Sequence, residues 1–335
     1  MKRVFMVALF SLFAITLVAQ ELHSPAELMK IMENSPITYE LKELEEPVAC
    51  PDRSANVNLN DVYRVNDGES LQVYYYDTLT PAGRDNFQRA EAYFDKQLLD
   101  SARLFYEKVL ETDPQFYKVA TYIGQMYGST GQLELARQTY LETIDKNYID
   151  YLAHWLLADI YLMQNKPDSA VHHVTVARIL NRNNPRLSNF QMEVYSAAKL
   201  DTTDWCFNPQ IEISQPDSGK VSVAFSEKWL MYGLCKTVWT FEPGYKKSMG
   251  VAPGDYTTLE ERECLANLMM GLLNSKAKIK KNRQLKTLKV AIEEGMIDPF
   301  IMYEVFLPKH PKVAYQLTRE FIDDIANYVI EVRHK

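Results

Sequence analysis

Tyrosine recurs at one fixed interval through the middle of this chain: Tyr93, Tyr127, Tyr161 and Tyr195 stand 34 residues apart. Three residues before them come Ala90, Gly124, Ala158 and Met192. Nine residues after the first three tyrosines stand Ala102, Ala136 and Ala170, and four further on Tyr106, Tyr140 and Val174, followed by Val109, Thr143 and Ala177. Columns that keep register over three copies without a gap call for one supersecondary unit stacked on itself. Within a copy the spacing is helical, with Ile123, Gly124 and Tyr127 on one face and Leu133, Ala136, Tyr140 and Ile144 on another. Each copy therefore reads as a hairpin of two helices. Gly124 lets the second helix approach, and Tyr127 is expected to be buried in the wedge between hairpins. Gly131 falls at the turn, Pro114 stops the first copy, and Pro167 opens the second helix of the third.

The stretch from Ala120 to Ala136, ATYIGQMYGSTGQLELA, resembles a tetratricopeptide repeat, as do its neighbours at 83–116 and 151–184. Residues 185–199, with Phe190, Met192 and Tyr195, make a further first helix able to cap the stack. The resemblance implies a mainly α fold, with a right-handed superhelical stack and a groove lined by the first helix of each hairpin. Carried across position by position, that groove takes Arg84, Phe87 and Glu91, then Lys118, Thr121 and Gln125, then Trp155, Asp159 and Leu162. Phe87 and Glu91 stand where the family's carboxylate clamp places Lys and Asn, so that clamp is absent. Phe87 and Trp155 are the aromatic anchors expected of such a surface. The competing reading is that the protein's own chain fills this face.

The first residues carry an address. Lys2 and Arg3 precede an apolar run from Val4 to Ala19 that is broken only by Ser11 and Thr16, and Gln20, Glu21 and His23 follow at once. The run is shorter than the ~20 residues of a membrane span and reads as a secretory signal peptide cleaved after Ala19, the alternative being an uncleaved N-terminal anchor. Its Leu-Val-Ala-Gln ending resembles that of exported Bacteroidetes-type proteins, which implies the periplasm, cell envelope or exterior. No cysteine ends the run, so lipid anchoring there is not expected. An oxidising compartment permits disulfides. Cys50, Cys206, Cys235 and Cys264 are then read either as buried free thiols or as holding one disulfide, with the pairing open.

The expected organisation is a signal peptide at 1–19, a helix and strand segment at 20–82, three repeats with a capping helix at 83–200, and a mostly helical C-terminal domain at 201–335. Ser24-Pro25-Ala26-Glu27 opens a helix with a capping box. Leu71, Val73 and Tyr75 alternate with polar neighbours as in a strand, and Asp67-Gly68 just upstream suggests a hairpin. Residues 210–225 read as a loop or second hairpin, and a final helix is expected to run from Val313 to Val332.

With 47% apolar and 24% charged residues the chain is able to bury a core, and its net charge of −7 gives no overall attraction to nucleic acid. One segment departs from that balance. Lys276, Lys278, Lys280, Lys281, Arg283, Lys286 and Lys289 are seven positive charges, and no acidic residue occurs from Cys264 through Ile292. It reads as a site for an anionic partner or, alternatively, as a solvated helix face. His172-His173 and the acidic runs at 43–46 and 323–324 are expected to be solvated. No metal, cofactor or catalytic motif is expected, and nucleic acid is the least expected partner because no aromatics interleave the basic run. The function expected is an exported non-catalytic scaffold that binds a protein or peptide in the cell envelope. The alternatives are an exported enzyme with its site in the C-terminal domain, or an envelope glycan-binding component.

Overall fold

The computed structural model describes residues 22–52, 62–66, 68–252, 257–273 and 276–334. The expected signal peptide, Asp67 and most of the polar stretch from Pro51 to Asn60 lie outside them. In chain order, helix α1 (Pro25–Glu33) and strand β1 (Thr38–Glu43) precede a hairpin of β2 (Val62–Asn66) and β3 (Leu71–Tyr75). Helices α2 (Pro81–Asp95), α3 (Leu99–Thr112), α4 (Lys118–Ser129), α5 (Leu133–Lys146), α6 (Tyr151–Met163), α7 (Pro167–Leu180) and α8 (Pro185–Ala197) follow. A second hairpin, β4 (Ile211–Asp217) and β5 (Lys220–Phe225), leads to α9 (Leu230–Phe241) and the single turn α10 (Tyr245–Ser248). Then come α11 (Leu259–Gly271), α12 (Lys276–Lys281), α13 (Arg283–Glu293), α14 (Ile297–Ile301), α15 (Leu307–Lys309) and α16 (Arg319–Tyr328). The fold is mainly helical, with short strands in the flanks.

Two compact units divide these elements, and two segments cross the boundaries expected from sequence. One unit holds residues 62–203 together with the chain from Phe306 onward, and the other holds residues 22–52 and 204–305. The C-terminal helix thus belongs with the repeats, and the N-terminal helix with the later helices.

In the first unit α2–α3, α4–α5 and α6–α7 are the three hairpins, and α8 packs on α7. The small-residue columns lie where these helices meet: Ala90, Ala102, Ala136, Ala158 and Ala170 are fully buried. A Cβ on Gly124 would come within 2.5 Å of the Tyr140 ring. Of the four recurring tyrosines Tyr195 is fully buried, whereas Tyr93, Tyr127 and Tyr161 are not. Tyr127 is only partly buried, under the guanidinium of Arg103 at 5.3 Å, whereas Tyr106 and Tyr140 fill the hairpin interiors at 2% and 1% exposure. The tyrosine column marks the end of each first helix. The carbonyls of Tyr93, Tyr127, Tyr161 and Tyr195 accept the N–H groups of Leu98, Gln132, Lys166 and Leu200 at 2.8–3.0 Å. Between them Gln97, Gly131, Asn165 and Lys199 take left-handed φ of 56° to 78°, which is the Schellman closure of a helix.

The fourth copy of that turn, at Lys199, is not followed by a second helix. Instead α16 and the π-helical turn Val329–Arg333 that continues it pack against α7. His334 and Asp201 join the two ends, with Asp201 donating its N–H to the His334 carbonyl at 2.9 Å. The last helix is also shorter than its periodicity suggests. Val313 lies in a 3-10 segment, Pro311–Gln316, and Thr318 caps α16 by accepting the Phe321 N–H at 3.2 Å.

The second unit contains a three-stranded sheet in which β5 lies between β1, parallel to it, and β4, antiparallel. A disulfide joins Cys50 to Cys206, whereas Cys235 and Cys264 are free and buried. Helices α1, α9 and α11 meet around Glu263, which is fully buried and accepts the Trp239 indole N–H at 2.6 Å and the Tyr245 hydroxyl at 2.8 Å. The His23 backbone N–H donates to the same carboxylate at 2.7 Å, which ties the first described residues into this core.

Candidate functional site

The groove positions fall into two groups. Those of the first repeat and the start of the second are brought together, and the protein's own chain lies against them. Phe87 packs edge-on and tilted against Tyr76, Tyr106 and Phe116, with ring centroids 5.0–6.2 Å apart. Glu91 accepts the Tyr106 hydroxyl. The Lys118 ammonium sits over the Tyr76 ring at 5.0 Å and the Tyr122 ring at 5.9 Å, a cation–π arrangement. Arg84 donates to the backbone carbonyl of Asp77 at 2.7 Å. Tyr76 and Asp77 belong to the 3-10 turn that ends β3, so this turn occupies the face that Arg84, Phe87 and Lys118 would otherwise present.

Thr121 points into a buried polar network. Its hydroxyl donates to Asp150 Oδ2 at 2.8 Å, and neither side chain is open to solvent. Asp150 also caps α6, accepting the N–H groups of Leu152 and Ala153 at 3.1 Å each. The Tyr63 hydroxyl, from β2, reaches the same carboxylate at 3.4 Å and accepts from Asn147 Nδ2 at 2.8 Å. Asn147 continues along the β2 backbone, donating to the Arg64 carbonyl at 2.9 Å and accepting the Asn66 N–H at 3.3 Å. Burial pushes the Asp150 carboxyl above its usual range, against the pull of the donors around it. The competing reading of the sequence thus describes this part of the face: it carries the β2–β3 hairpin. Tyr63, Asn147 and Asp150 had no place in the sequence reading, and Tyr76 figured there only in the alternation of a strand. Asp150 alone had a local signal, an acidic residue just before a helical run.

The remaining positions lie further along the stack. Gln125 on α4 is half-buried and Trp155 on α6 is partly buried, its ring 6.2 Å from that of Phe190 on α8. Asp159, one turn on, has its carboxyl pushed up by burial and then by the charge of Glu193, an exposed residue of α8. Leu162 packs on the apolar cluster beneath. Trp155 and Asp159 on α6 and Phe190 and Glu193 on α8 thus bring two aromatic rings and two carboxylates together, the first three partly buried and Glu193 exposed.

His172 and His173 are not a solvated pair. His173 Nδ1 lies 3.1 Å from Nδ1 of the fully buried His154, and its ring stacks on Tyr161 at 5.8 Å. His172 Nε2 is 3.4 Å from Asp323, and that aspartate accepts the Tyr148 hydroxyl, so the second acidic run is also partly engaged. No group of three or more metal-ligating side chains occurs among the described residues. In the basic segment Lys280, Lys281 and Lys286 are exposed, Lys289 pairs with Glu293, and Arg283 is half-buried with a partner inside the protein. The side chains of Lys276 and Lys278 lie outside the described residues.

A family model described as Tetratricopeptide repeat matches residues 86–116, which are most of α2 and α3 and the turn that follows them. Comparison with curated proteins finds no match. Among solved structures, the first TPR of Spaghetti (RPAP3) bound to the HSP90 peptide SRMEEVD is 17% identical, covering 35% of this chain and 94% of that one with a TM-score of 0.34. A structure of MamA is 15% identical over 71% of this chain and 97% of its own, with a TM-score of 0.31. A second, of MamA AMB-1, is 20% identical over 38% and 73%, with a TM-score of 0.30. The match at 86–116 falls on the first of the three hairpins, which there is similar to a tetratricopeptide repeat.

Proposed function

We propose that this chain is an exported, non-catalytic scaffold that binds a protein or peptide partner in the cell envelope through the α6–α8 end of its repeat face. The observation that carries this reading is the difference between the two ends of the face: Phe87 and Thr121 are engaged by Tyr76 and Asp150, whereas Trp155 and Asp159 meet Phe190 and the exposed Glu193 of α8. A large rigid aromatic with one N–H donor beside two carboxylates suits an extended segment carrying a basic side chain. Export is supported by the basic and apolar start of the sequence and by the Cys50–Cys206 disulfide, a bond favoured in oxidising compartments. The basic segment at 276–289 supplies a second contact, to an anionic component.

Two variants of the purified mature protein test the reading. Trp155→Ala should weaken partner binding about 30-fold, equivalent to about 2 kcal/mol for a central anchor, and leave the helical spectrum unchanged. Phe87→Ala, which removes a ring already covered by Tyr76, should lower stability and leave affinity per folded molecule intact. The reverse pattern would move the binding face to the first repeat. Intact mass of protein from the native host should lack the first 19 residues; retained Met1 would end the export reading.

A further inference from the structure

We infer that Met270 and Leu273 at the end of α11, with Lys280, Lys281 and Lys286 on α12 and α13, form a contact surface for an anionic lipid bilayer. This rests on reading the basic segment as a second contact and names its partner. Three observations converge. First, Ile279, Leu285 and Leu288 are the buried apolar residues of α12 and α13, and Lys280, Lys281 and Lys286 are each exposed. Second, of seven positive residues six are lysine and one is arginine, and Arg283 is engaged within the protein. Lysines are mobile point charges suited to a diffuse anionic surface, whereas recognition of one carboxylate or phosphate favours the arginine fork. Third, two apolar side chains are exposed immediately before the lysines: Met270 at 40% and Leu273 at 67%.

Leu273 precedes Lys276 by three residues, so their Cα atoms are at most about 11 Å apart. Exposed apolar side chains flanking a lysine cluster are the composition of an interfacial membrane contact, in which the apolar groups enter the acyl boundary and the ammonium groups meet the headgroups. An acidic protein surface would use the lysines and leave Leu273 without a role. The rest of the chain carries a net charge of −14, the difference between −7 overall and +7 in the segment, so attraction is confined to this patch and orients the protein on the bilayer.

Co-sedimentation of the mature full-length protein with vesicles tests this. The vesicles are phosphatidylcholine alone, or phosphatidylcholine with about a third phosphatidylglycerol, and soluble polyglutamate and millimolar inorganic phosphate are the other ligands. Partition onto the anionic vesicles is expected, with at least a tenfold loss for Lys280→Glu/Lys281→Glu and a comparable loss in 0.5 M salt. Leu273→Ser should weaken partition with little change in its salt dependence, and Lys286→Glu, at an exposed site, repeats the charge test should the double variant unfold. Equal partition onto both vesicle types overturns the inference. Binding to polyglutamate with none to vesicles overturns the lipid assignment and keeps the basic segment as a contact, and binding to neither removes both.

Discussion

Thr121 on α4 and Asp150 at the head of α6 share a buried 2.8 Å hydrogen bond, and through it the second and third repeats are tied to the strand that covers them. Asp150 accepts from Leu152, Ala153, Thr121 and Tyr63, so one carboxylate caps a helix and receives the hairpin. Thr121→Val keeps the shape and removes one donor from a buried acid. It should cost about 1–3 kcal/mol, the usual penalty for leaving a buried polar group short of a partner. Urea unfolding measures it, with Gln125→Ala as a neighbour on the same helix expected to change little.

The hairpin interiors make a second expectation. Tyr140→Ala should destabilise by about 3–5 kcal/mol, as truncation of a fully buried aromatic does, and Tyr127→Ala by clearly less. Gly124→Leu should also destabilise, because even its Cβ would lie 2.5 Å from the Tyr140 ring. Equal losses at Tyr127 and Tyr140 would return the recurring tyrosine to the role expected from sequence.

The left-handed turns predict changes of opposite sign. Gly131 holds φ of 78°, and Gly131→Ala should cost about 1 kcal/mol. Lys199 holds φ of 60° with a side chain, and Lys199→Gly should gain stability, or at least lose none. Thermal melting of the two variants against wild type decides this.

Acid should loosen the third hairpin. His154 Nε2 is 3.0 Å from the Tyr148 carbonyl, so this nitrogen carries the proton, and His154 Nδ1 accepts from His173 at 3.1 Å. Both rings are neutral in that arrangement. Burial, followed by the neighbouring histidines, holds His154 well below its ordinary 6.5, and burial with His172 takes His173 down to about 4. The unfolded chain therefore binds more protons as pH falls from about 6.5 towards 4, and stability drops through that window by up to about 1.4 kcal/mol per pH unit per group. Asp150 and Asp159, pushed upward by burial, work with the opposite sign and offset part of it. Urea midpoints between pH 7.5 and 4.5 should fall for the wild type and fall less steeply for His173→Gln.

The stack was legible in the sequence because its constraints are local: Ala90, Gly124 and Ala158 recur at helix contacts, and a turn recurs every 34 residues. What the face holds was not legible. Tyr63 meets Asp150 across 87 residues, and His334 meets Asp201 across 133, pairings with no spacing to betray them. The reassignment of Tyr127 has a similar cause, since a helix-end position and an interior position follow the same period. Strand β1 went unread because its partner β5 lies far along the chain and its own pattern, Thr38 to Glu43, is mostly exposed and charged.

The central claim, that the α6–α8 end of the repeat face holds the partner, is tested most directly by site-specific photo-crosslinking in the native envelope. A crosslinking residue placed at Trp155 is compared with one at Leu104, an exposed position on the second helix of the first repeat. The account predicts a discrete adduct from position 155, absent from position 104 and suppressed by Asp159→Lys. Adducts from position 104 alone, or from neither position with the protein intact, would contradict it.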